Sequence, residues 1–257
     1  MNQKASELNL SSTHFTTLHG LDDDEHYTTA YDLAILTDYA LQNETFAKIV
    51  KTKKYTVTIS GHSKTLTNTN KLLGNFDGIY GVKTGFTNGA NRCLVTACKR
   101  DNIDVICVVL GCDTKKDRTS DSVSLLNYIF DNFDMINIET MINSNFESWR
   151  LLHTNSFTIY KGVSQILELS LESTQIPYST IAVNRAFLET ISTDISFTSY
   201  FEAPLCANTV VGSLTLKIDE KEYFSVDIIN KNEIARKSIT YYFSYLFTNF
   251  VQYFNPS

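Results

Sequence analysis

The residues best suited to chemistry lie in one short segment, Gly81-Val82-Lys83-Thr84-Gly85-Phe86-Thr87, which has the pattern of a strand that ends in K-T-G. K-T-G is one of three motifs found in serine acyl-transfer sites, and the other two are S-x-x-K and S-D-N. No serine in the chain has Lys three positions later, and none has Asn two positions later. The sequence therefore predicts the substrate-binding wall of such a site without its nucleophile.

Two other groups of reactive side chains have weaker patterns. His14, His19 and His26 are spread over an irregular connector, which favours structural hydrogen bonding over a metal cluster. The cysteines show neither C-x-x-C pairing nor a nearby His at zinc spacing, so we expect small buried side chains rather than a zinc site or a disulfide scaffold. They are Cys93, Cys98, Cys107, Cys112 and Cys206. We therefore predict no metal and no cofactor.

The elements that must position the K-T-G strand follow from the surrounding pattern. Thr29 and Asp32 predict a capping box at the start of an amphipathic helix. Strand patterns recur at residues 54–59, 78–84, 93–98 and 105–110, and the last is an unbroken apolar run typical of a buried central strand. The polar turn between the last two strands predicts an antiparallel hairpin, and a helix is expected over 120–133. The first 135 residues therefore predict an antiparallel sheet packed against helices.

Beyond residue 134 the pattern changes to short strands separated by turn residues, which predicts a small all-β domain over 136–237. The last segment, 238–257, has no charged residue and is rich in Tyr and Phe. It is short for a membrane-spanning helix, and tyrosines suit the headgroup layer, so we expect a segment at the membrane interface. The alternative is a terminal helix packed on one of the domains.

Composition and charge narrow the possible functions. The 257 residues, 43% of them hydrophobic, are enough for one large or two ordinary domains. A net charge of −6 argues against non-specific binding to nucleic acid. The chain as given has no secretory signal, but residues 1–10 have the pattern of a helix already in progress with no N-cap. This favours a protein whose front lies outside this sequence over a cytoplasmic one.

Over residues 1–135 the chain resembles the serine D-alanyl-D-alanine carboxypeptidases, the low-molecular-mass penicillin-binding proteins of the peptidase S11 type. The resemblance rests on His19-Gly20-Leu21, His26-Tyr27-Thr28-Thr29-Ala30, Asn68-Thr69-Asn70-Lys71, the K-T-G segment, the hairpin that follows it and the spaced Arg118. It implies an α+β fold, with the C-terminal part of a penicillin-binding or β-lactamase-like transpeptidase domain in residues 1–135. The β-rich domain and an aromatic C-terminal helix would follow. Family members carry S-x-x-K and S-x-N upstream of the helix that Met1 enters, so we expect an N-terminally truncated chain.

The resemblance also implies a role for each residue of the K-T-G segment. The family's Ser attacks the carbonyl between two terminal D-alanines and forms an acyl-enzyme. Lys83 would supply positive charge for the peptide's C-terminal carboxylate, and the Thr84 hydroxyl would donate a hydrogen bond to it. Gly85, which lacks Cβ, would let the peptide lie along the strand. The backbone N–H of Phe86 would form half of the oxyanion hole, and the nucleophile remains unassigned.

These inferences together predict a serine-type D-Ala-D-Ala carboxypeptidase of peptidoglycan maturation whose 257 residues are inactive alone. It would act on the outer face of the bacterial cytoplasmic membrane. The implied partners are a stem peptide ending in D-Ala-D-Ala, β-lactams when the protein is complete, and the membrane surface, with no nucleic acid. The alternative from a different class is a non-catalytic remnant or peptide-binding module of the same family. A β-lactamase relative is disfavoured, because those enzymes lack a following β-domain and membrane segment.

Overall fold

The computed structural model describes residues 1–254, which divide into one unit over Met1–Asp134 and a second that begins at Met135. The first elements are, in chain order, α1 (Asn2–Glu7), α2 (Ala30–Leu41), α3 (Glu44–Lys51), β1 (Lys54–Ile59), β2 (His62–Thr67), β3 (Ile79–Thr87), β4 (Asn91–Arg100), β5 (Ile103–Cys112) and α4 (Lys115–Asn132). The elements that follow are β6 (Phe133–Asn137), α5 (Ile138–His153), β7 (Thr158–Tyr160), β8 (Leu169–Leu171), β9 (Thr180–Asn184), β10 (Ser192–Phe197), β11 (Tyr200–Glu202), β12 (Thr209–Ile218), β13 (Lys221–Asn230) and α6 (Ile239–Phe254). Two short 3-10 helices lie at Ser173–Gln175 and Arg185–Thr190.

The K-T-G segment lies in β3, at one edge of a three-stranded antiparallel sheet with the order β3-β4-β5. Lys83 is opposite Val95 in the pairing of β3 with β4. The predicted hairpin is confirmed, because β4 and β5 pair antiparallel across the short turn Asp101-Asn102. Asp101 has a φ of 49°, the left-handed conformation that tight hairpin turns require and that Asp tolerates well.

β5 lies at the other edge of this sheet, although its apolar run predicted a central strand. The run has a different cause, since α2 and α4 both pack against β5. The side chains of β4 point alternately to the two faces of the sheet. Leu94 packs in one cluster with Leu126 of α4, and Ala97 packs in another with Val50 of α3. Helices therefore bury both faces of the sheet, while the outer edge of β5 pairs with no other strand in the part of the chain that is described.

Asp32 ties α2 to the connector that precedes it. The Thr29 hydroxyl accepts a hydrogen bond from the Asp32 backbone N–H at 3.1 Å, which confirms the predicted N-cap. The buried Asp32 carboxylate, however, accepts hydrogen bonds from the Ser12 N–H at 3.0 Å and the Thr13 hydroxyl at 2.6 Å. The second half of the predicted capping box is therefore wrong, because this carboxylate holds the connector instead of returning to the cap.

The second unit contains a long helix, α5, where the sequence predicted only strands. α5 begins after Asn137, whose side chain accepts a hydrogen bond from a backbone N–H of the first turn. Ile138, Ile142 and Phe146 are spaced four residues apart and are all buried. The all-β prediction is wrong here because residues 143–145, Asn-Ser-Asn, resemble a turn but lie on the exposed face of the same helix.

The strands of the second unit form one larger sheet and two pairs. The larger sheet has the order β10-β12-β13-β8, β6 pairs with β9, and the short strands β7 and β11 pair parallel. One core joins this sheet to α5. Its fully buried side chains include Ile138, Ile142, Ile159, Leu214, Leu216, Ile228 and Ile234.

α6 is the last described helix and carries the aromatic segment. Every side chain of α6 that is described is exposed, and Phe243 and Phe247 are 70% and 71% exposed. This does not fit a terminal helix packed on its own unit. Within residues 1–254, no helix combines the length and the hydropathy needed to cross a bilayer. The predicted segment 238–257 also includes residues 255–257, which lie outside the described part.

Candidate functional site

A groove of about 1790 Å³ runs along the open edge of β3 in the first unit. β4 occupies one edge of β3, and no other described strand pairs with its second edge. The groove is lined by β3, by the connector over residues 17–24, by the segment before β3 and by the start of α4. The described geometry brings Lys83, Thr84, Gly85 and Phe86 together in this lining. An extended peptide could add to such an edge as a further strand.

The K-T-G side chains are available to a ligand in the groove. Lys83 is exposed, and its Nζ donates a hydrogen bond to the Thr84 carbonyl oxygen at 2.5 Å. The Thr84 hydroxyl is 2.7 Å from the hydroxyl of Thr69 across the groove lining. A Cβ added to Gly85 would lie 3.4 Å from the Cβ of Cys93, the residue opposite Gly85 on β4. A cation and an orientable hydroxyl therefore stand side by side where a carboxylate could bind.

Two asparagines anchor the segment that precedes β3. The buried Asn70 donates to the Gly81 carbonyl oxygen at 2.9 Å. Asn68 donates to the carbonyl oxygens of Val50 at 3.2 Å and Thr52 at 3.1 Å. These side chains fasten the segment before β3 both to the K-T-G strand and to the end of α3. The sequence contained both asparagines in the resemblance pattern, but it gave no signal for this supporting role.

Asp22 connects the two walls of the groove. Its Oδ2 accepts a hydrogen bond from the Gly89 N–H at 3.0 Å, in the turn that follows the K-T-G strand. Hydrogen bonds from the Thr87 side chain and then from the Gly89 backbone hold the pKa of the Asp22 carboxyl below its ordinary value. A Cβ added to Gly89 would lie 3.0 Å from Asp22 Oδ1, so glycine gives the carboxylate room. The connector is thus fixed to the end of β3.

Phe86 and Arg92 form the exposed end of the groove. The Phe86 side chain is 52% exposed, and the Arg92 guanidinium carbon lies 3.5 Å from the centre of its ring. The two residues are directly opposite each other in the pairing of β3 with β4. This distance is well within the range of a cation–π contact. Phe86 was predicted through its backbone N–H alone, and the sequence gave no reason to expect a ring stacked on a cation.

Arg118 is a further cation of the groove, and the sequence-based prediction gave it no role. It lies in the first turn of α4, is 5% exposed, and donates from Nη1 to the Cys93 carbonyl oxygen at 3.3 Å. Its Nε is buried and has no hydrogen-bond partner among residues 1–254. Burial, and then the nearby charge of Arg92, lower the pKa of Arg118. A buried guanidinium with a free donor beside a groove is suited to an anionic ligand.

The histidines of the connector make local hydrogen bonds. His14 Nδ1 is 2.7 Å from the Glu25 carbonyl oxygen, and His26 Nδ1 accepts from the Thr16 N–H at 3.2 Å. In the described part of the chain, no three His, Cys, Asp or Glu side chains are grouped so that they could hold a metal ion. Lys83, Arg92 and Arg118 give the groove cations that could receive an anion.

Comparison with known proteins places these residues in a family context. The family described as D-alanyl-D-alanine carboxypeptidase, peptidase S11, matches residues 1–114. The chain is 30% identical over 241 residues to D-alanyl-D-alanine carboxypeptidase DacF of Bacillus subtilis, covering 92% of this chain and 58% of the relative. It is 39% identical over 136 residues to the D-alanyl-D-alanine carboxypeptidase of Streptomyces sp. K15, covering 51% of this chain and 47% of that protein. The chain thus spans about half the length of these relatives.

A solved structure shows the same fold over most of the chain. Penicillin-binding protein 5 from Haemophilus influenzae matches with a TM-score of 0.64 and 24% sequence identity. The match covers 91% of this chain and 64% of that one. At this identity, the likeness establishes a shared mixed α/β fold.

Proposed function

The chain belongs to the D-alanyl-D-alanine carboxypeptidases of the peptidase S11 family, and on this premise we propose that its groove binds peptidoglycan stem peptides ending in D-Ala-D-Ala. One observation carries the proposal: Lys83, Thr84 and Gly85 line a groove along the open edge of β3. The lysine and the threonine hydroxyl would hold the peptide's terminal carboxylate. The strand edge would hold its backbone, beside the side-chain-free Gly85.

The reaction we propose for the complete protein is serine-type acyl transfer. A serine oxygen would attack the carbonyl carbon between the two D-alanines, and the C–N bond would break as terminal D-Ala leaves with a proton. Water would then hydrolyse the ester, and β-lactams would acylate the same serine. In this chain, Phe86 would contribute its backbone N–H to the oxyanion hole. Because S-x-x-K does not occur in the 257 residues, we propose that they bind the peptide without turning it over.

The same proposal assigns a role to each segment of the chain. Residues 1–135 would form the C-terminal part of the catalytic domain, and 136–237 would form an accessory domain. Residues 238–257 would hold the protein on the outer face of the bacterial cytoplasmic membrane. The exposed aromatic side chains of α6 support this last assignment, and so does the absence of charged residues from the segment.

A peptide titration tests the binding proposal. We expect diacetyl-L-Lys-D-Ala-D-Ala to bind the chain at least about tenfold more tightly than its all-L diastereomer or its C-terminal amide, because the amide loses a charge-assisted hydrogen bond. Calorimetry or NMR titration measures the three dissociation constants. A fluorescent penicillin should leave the chain without covalent label.

Two outcomes would contradict this proposal. Equal affinity for the three peptides, or no binding, would favour the alternative of a remnant that keeps only the scaffold. A labelled band at the mass of the chain would show that an acyl-accepting nucleophile is present among the 257 residues.

The membrane assignment is tested with lipid vesicles. We expect the chain to co-sediment with neutral phosphatidylcholine vesicles, and the double variant Phe243→Ser, Phe247→Ser to bind at least about tenfold more weakly, since burying one Phe is worth about 1.5–3 kcal/mol. Tyr223→Ser is the matched control, because Tyr223 is 50% exposed and belongs to β13 rather than to α6. Equal sedimentation of the Phe variant and the control would overturn the assignment.

A further inference from the structure

Residues 45–76 carry a concentration of positive charge. This stretch contains six lysines and no acidic residue, although the whole chain has 28 acidic residues against 22 lysines and arginines. All six lysines are exposed, and none forms an ion pair with a carboxylate in residues 1–254. The six are Lys48, Lys51, Lys53, Lys54, Lys64 and Lys71. A chain with a net charge of −6 therefore has one segment that is strongly basic.

The hairpin of β1 and β2 belongs to this segment and pairs with no other described strand. Residues directly opposite each other on antiparallel strands point to the same face. Tyr55 is opposite Leu66, and Ile59 is opposite His62. Tyr55, Ile59 and Leu66 are 64%, 71% and 47% exposed. One face of the hairpin therefore combines apolar side chains with a lysine, and its members are Tyr55, Val57, Ile59, His62, Lys64 and Leu66.

The opposite face of the hairpin is polar. The hydroxyls of Thr56 and Thr65 are 2.9 Å apart across the two strands, and those of Thr58 and Ser63 are 2.8 Å apart. Both faces are exposed to solvent, apart from the half-buried Val57. The hairpin is thus amphipathic, yet the described part of the chain does not bury its apolar face.

The side chains of this surface match an anionic lipid bilayer. Anionic headgroups attract lysine ammonium groups, while lysine stems and tyrosine rings suit the boundary between headgroups and acyl chains. Apolar side chains beside lysines are the combination that binds at such an interface. A soluble anion would contact the lysines and leave the apolar side chains in water. A bilayer accounts for both parts of the surface.

We propose that the β1–β2 hairpin is a second membrane contact of the chain. The face with Tyr55, Ile59 and Leu66 would lie in the headgroup layer of an anionic bilayer, and the lysines of residues 45–76 would contact lipid phosphates. This contact differs from the one proposed for α6, which has no charged residue and would not respond to lipid charge. The inference requires neither a bound peptide nor α6, so it does not depend on the proposed function.

The competing explanation is an ordinary solvated surface, since single exposed apolar side chains and short charge runs are common on proteins. That explanation does not account for apolar side chains and hydroxyls that are separated onto opposite faces of one hairpin. It also does not explain why the lysines lack acidic neighbours in a chain rich in acidic residues. Lipid charge separates the two explanations, because a solvated surface has no preference for anionic vesicles.

The first test compares co-sedimentation with phosphatidylglycerol vesicles and with phosphatidylcholine vesicles. We expect the wild-type chain to bind the anionic vesicles at least about a hundredfold more tightly at low salt. The preference should disappear at about 1 M salt, where charges are screened within about 3 Å. The triple variant Lys53→Gln, Lys54→Gln, Lys64→Gln should bind the anionic vesicles about a hundredfold more weakly, since each lysine near such a surface contributes about fivefold.

The matched control carries the same charge change outside this segment. In Lys99→Gln, Lys221→Gln, Lys231→Gln, three other exposed lysines are replaced, and the preference for anionic vesicles should stay as in wild type. This control separates the local surface from the net charge of the chain.

A second pair of variants tests the apolar part of the surface. Ile59→Ser should weaken binding to anionic vesicles about tenfold, because its side chain would no longer be buried among lipids. Ile166→Ser is the matched control, since Ile166 is 58% exposed and lies in the second unit. Equal binding by these two variants would contradict the proposed orientation of the hairpin.

The variant Phe243→Ser, Phe247→Ser keeps this inference distinct from the assignment of α6. It should lose affinity for phosphatidylcholine vesicles and still prefer phosphatidylglycerol vesicles. Equal binding of both lipids by the wild-type chain, or an equal loss in the lysine variant and its control, would overturn the inference. Self-association that the lysine variant abolishes, without any lipid preference, would also overturn it and would assign the surface to a second copy of the chain.

Discussion

Replacing Lys83 by alanine is expected to weaken binding of diacetyl-L-Lys-D-Ala-D-Ala to the chain by roughly tenfold to a hundredfold. A hydrogen bond to a charged group contributes about 1.5–3 kcal/mol, and Lys83 is exposed on the groove edge with its ammonium free to reorient. This ammonium donates to the carbonyl oxygen of Thr84, a contact that a carboxylate can replace. Calorimetric dissociation constants for wild type and variant measure the effect.

The matched control for this variant is Lys99→Ala. Lys99 lies on the neighbouring strand, β4, and its ammonium is 3.7 Å from the Asp104 carboxylate outside the groove. An exposed ion pair of this kind contributes little, so the control should bind the peptide as wild type does. The C-terminal amide of the peptide should be insensitive to Lys83→Ala. A loss of affinity that is equal for the acid and the amide would show that Lys83 does not recognise the terminal carboxylate.

Ile142→Ala is expected to lower the free energy of unfolding of the second unit by about 2–5 kcal/mol. Ile142 is fully buried in α5, where it packs with Leu214 and Ile228 in the core of the larger sheet. Truncation removes apolar contacts and leaves a cavity that the surrounding strands cannot fill. Urea denaturation followed by Trp149 fluorescence measures the change, because this single tryptophan lies in the same helix.

Leu152→Ala in the same helix is the control for that measurement. Leu152 is 81% exposed, and surface substitutions usually change stability by less than about 0.5 kcal/mol. The two variants remove similar volumes from one helix and differ mainly in burial. Similar unfolding midpoints for the two variants would contradict the placement of α5 against the sheet.

Much of the first unit could be predicted because its patterns are local. The hairpin of β4 and β5 follows from two apolar runs and a polar turn, and the N-cap of α2 follows from Thr29. α5 was missed for a physical reason, since three polar residues on the exposed face of a helix look like a turn when read in order. The destination of the Asp32 carboxylate could not be predicted, because its partners lie about twenty positions earlier in the chain.

The candidate site also contains some residues that the sequence predicted and others that it could not predict. The K-T-G motif predicted Lys83, Thr84, Gly85 and Phe86, and the structure places all four in one groove, although their roles toward a substrate stay predictions. Asp22 and Arg118 could not be assigned roles from sequence. Asp22 meets Gly89 across 67 positions, and Arg118 meets Cys93 across 25. Such contacts depend on the tertiary fold rather than on neighbouring residues.

The two edge strands of the three-stranded sheet have a consequence for peptide recognition. Both β3 and β5 present a row of backbone donors and acceptors that no other described strand occupies. An extended polypeptide can form the same main-chain hydrogen bonds at either end, so these bonds cannot tell one guest strand from another. Selectivity must then come from what projects around each row. At β3, Lys83 and the Thr84 hydroxyl lie beside this row, so they would determine which extended peptide binds there.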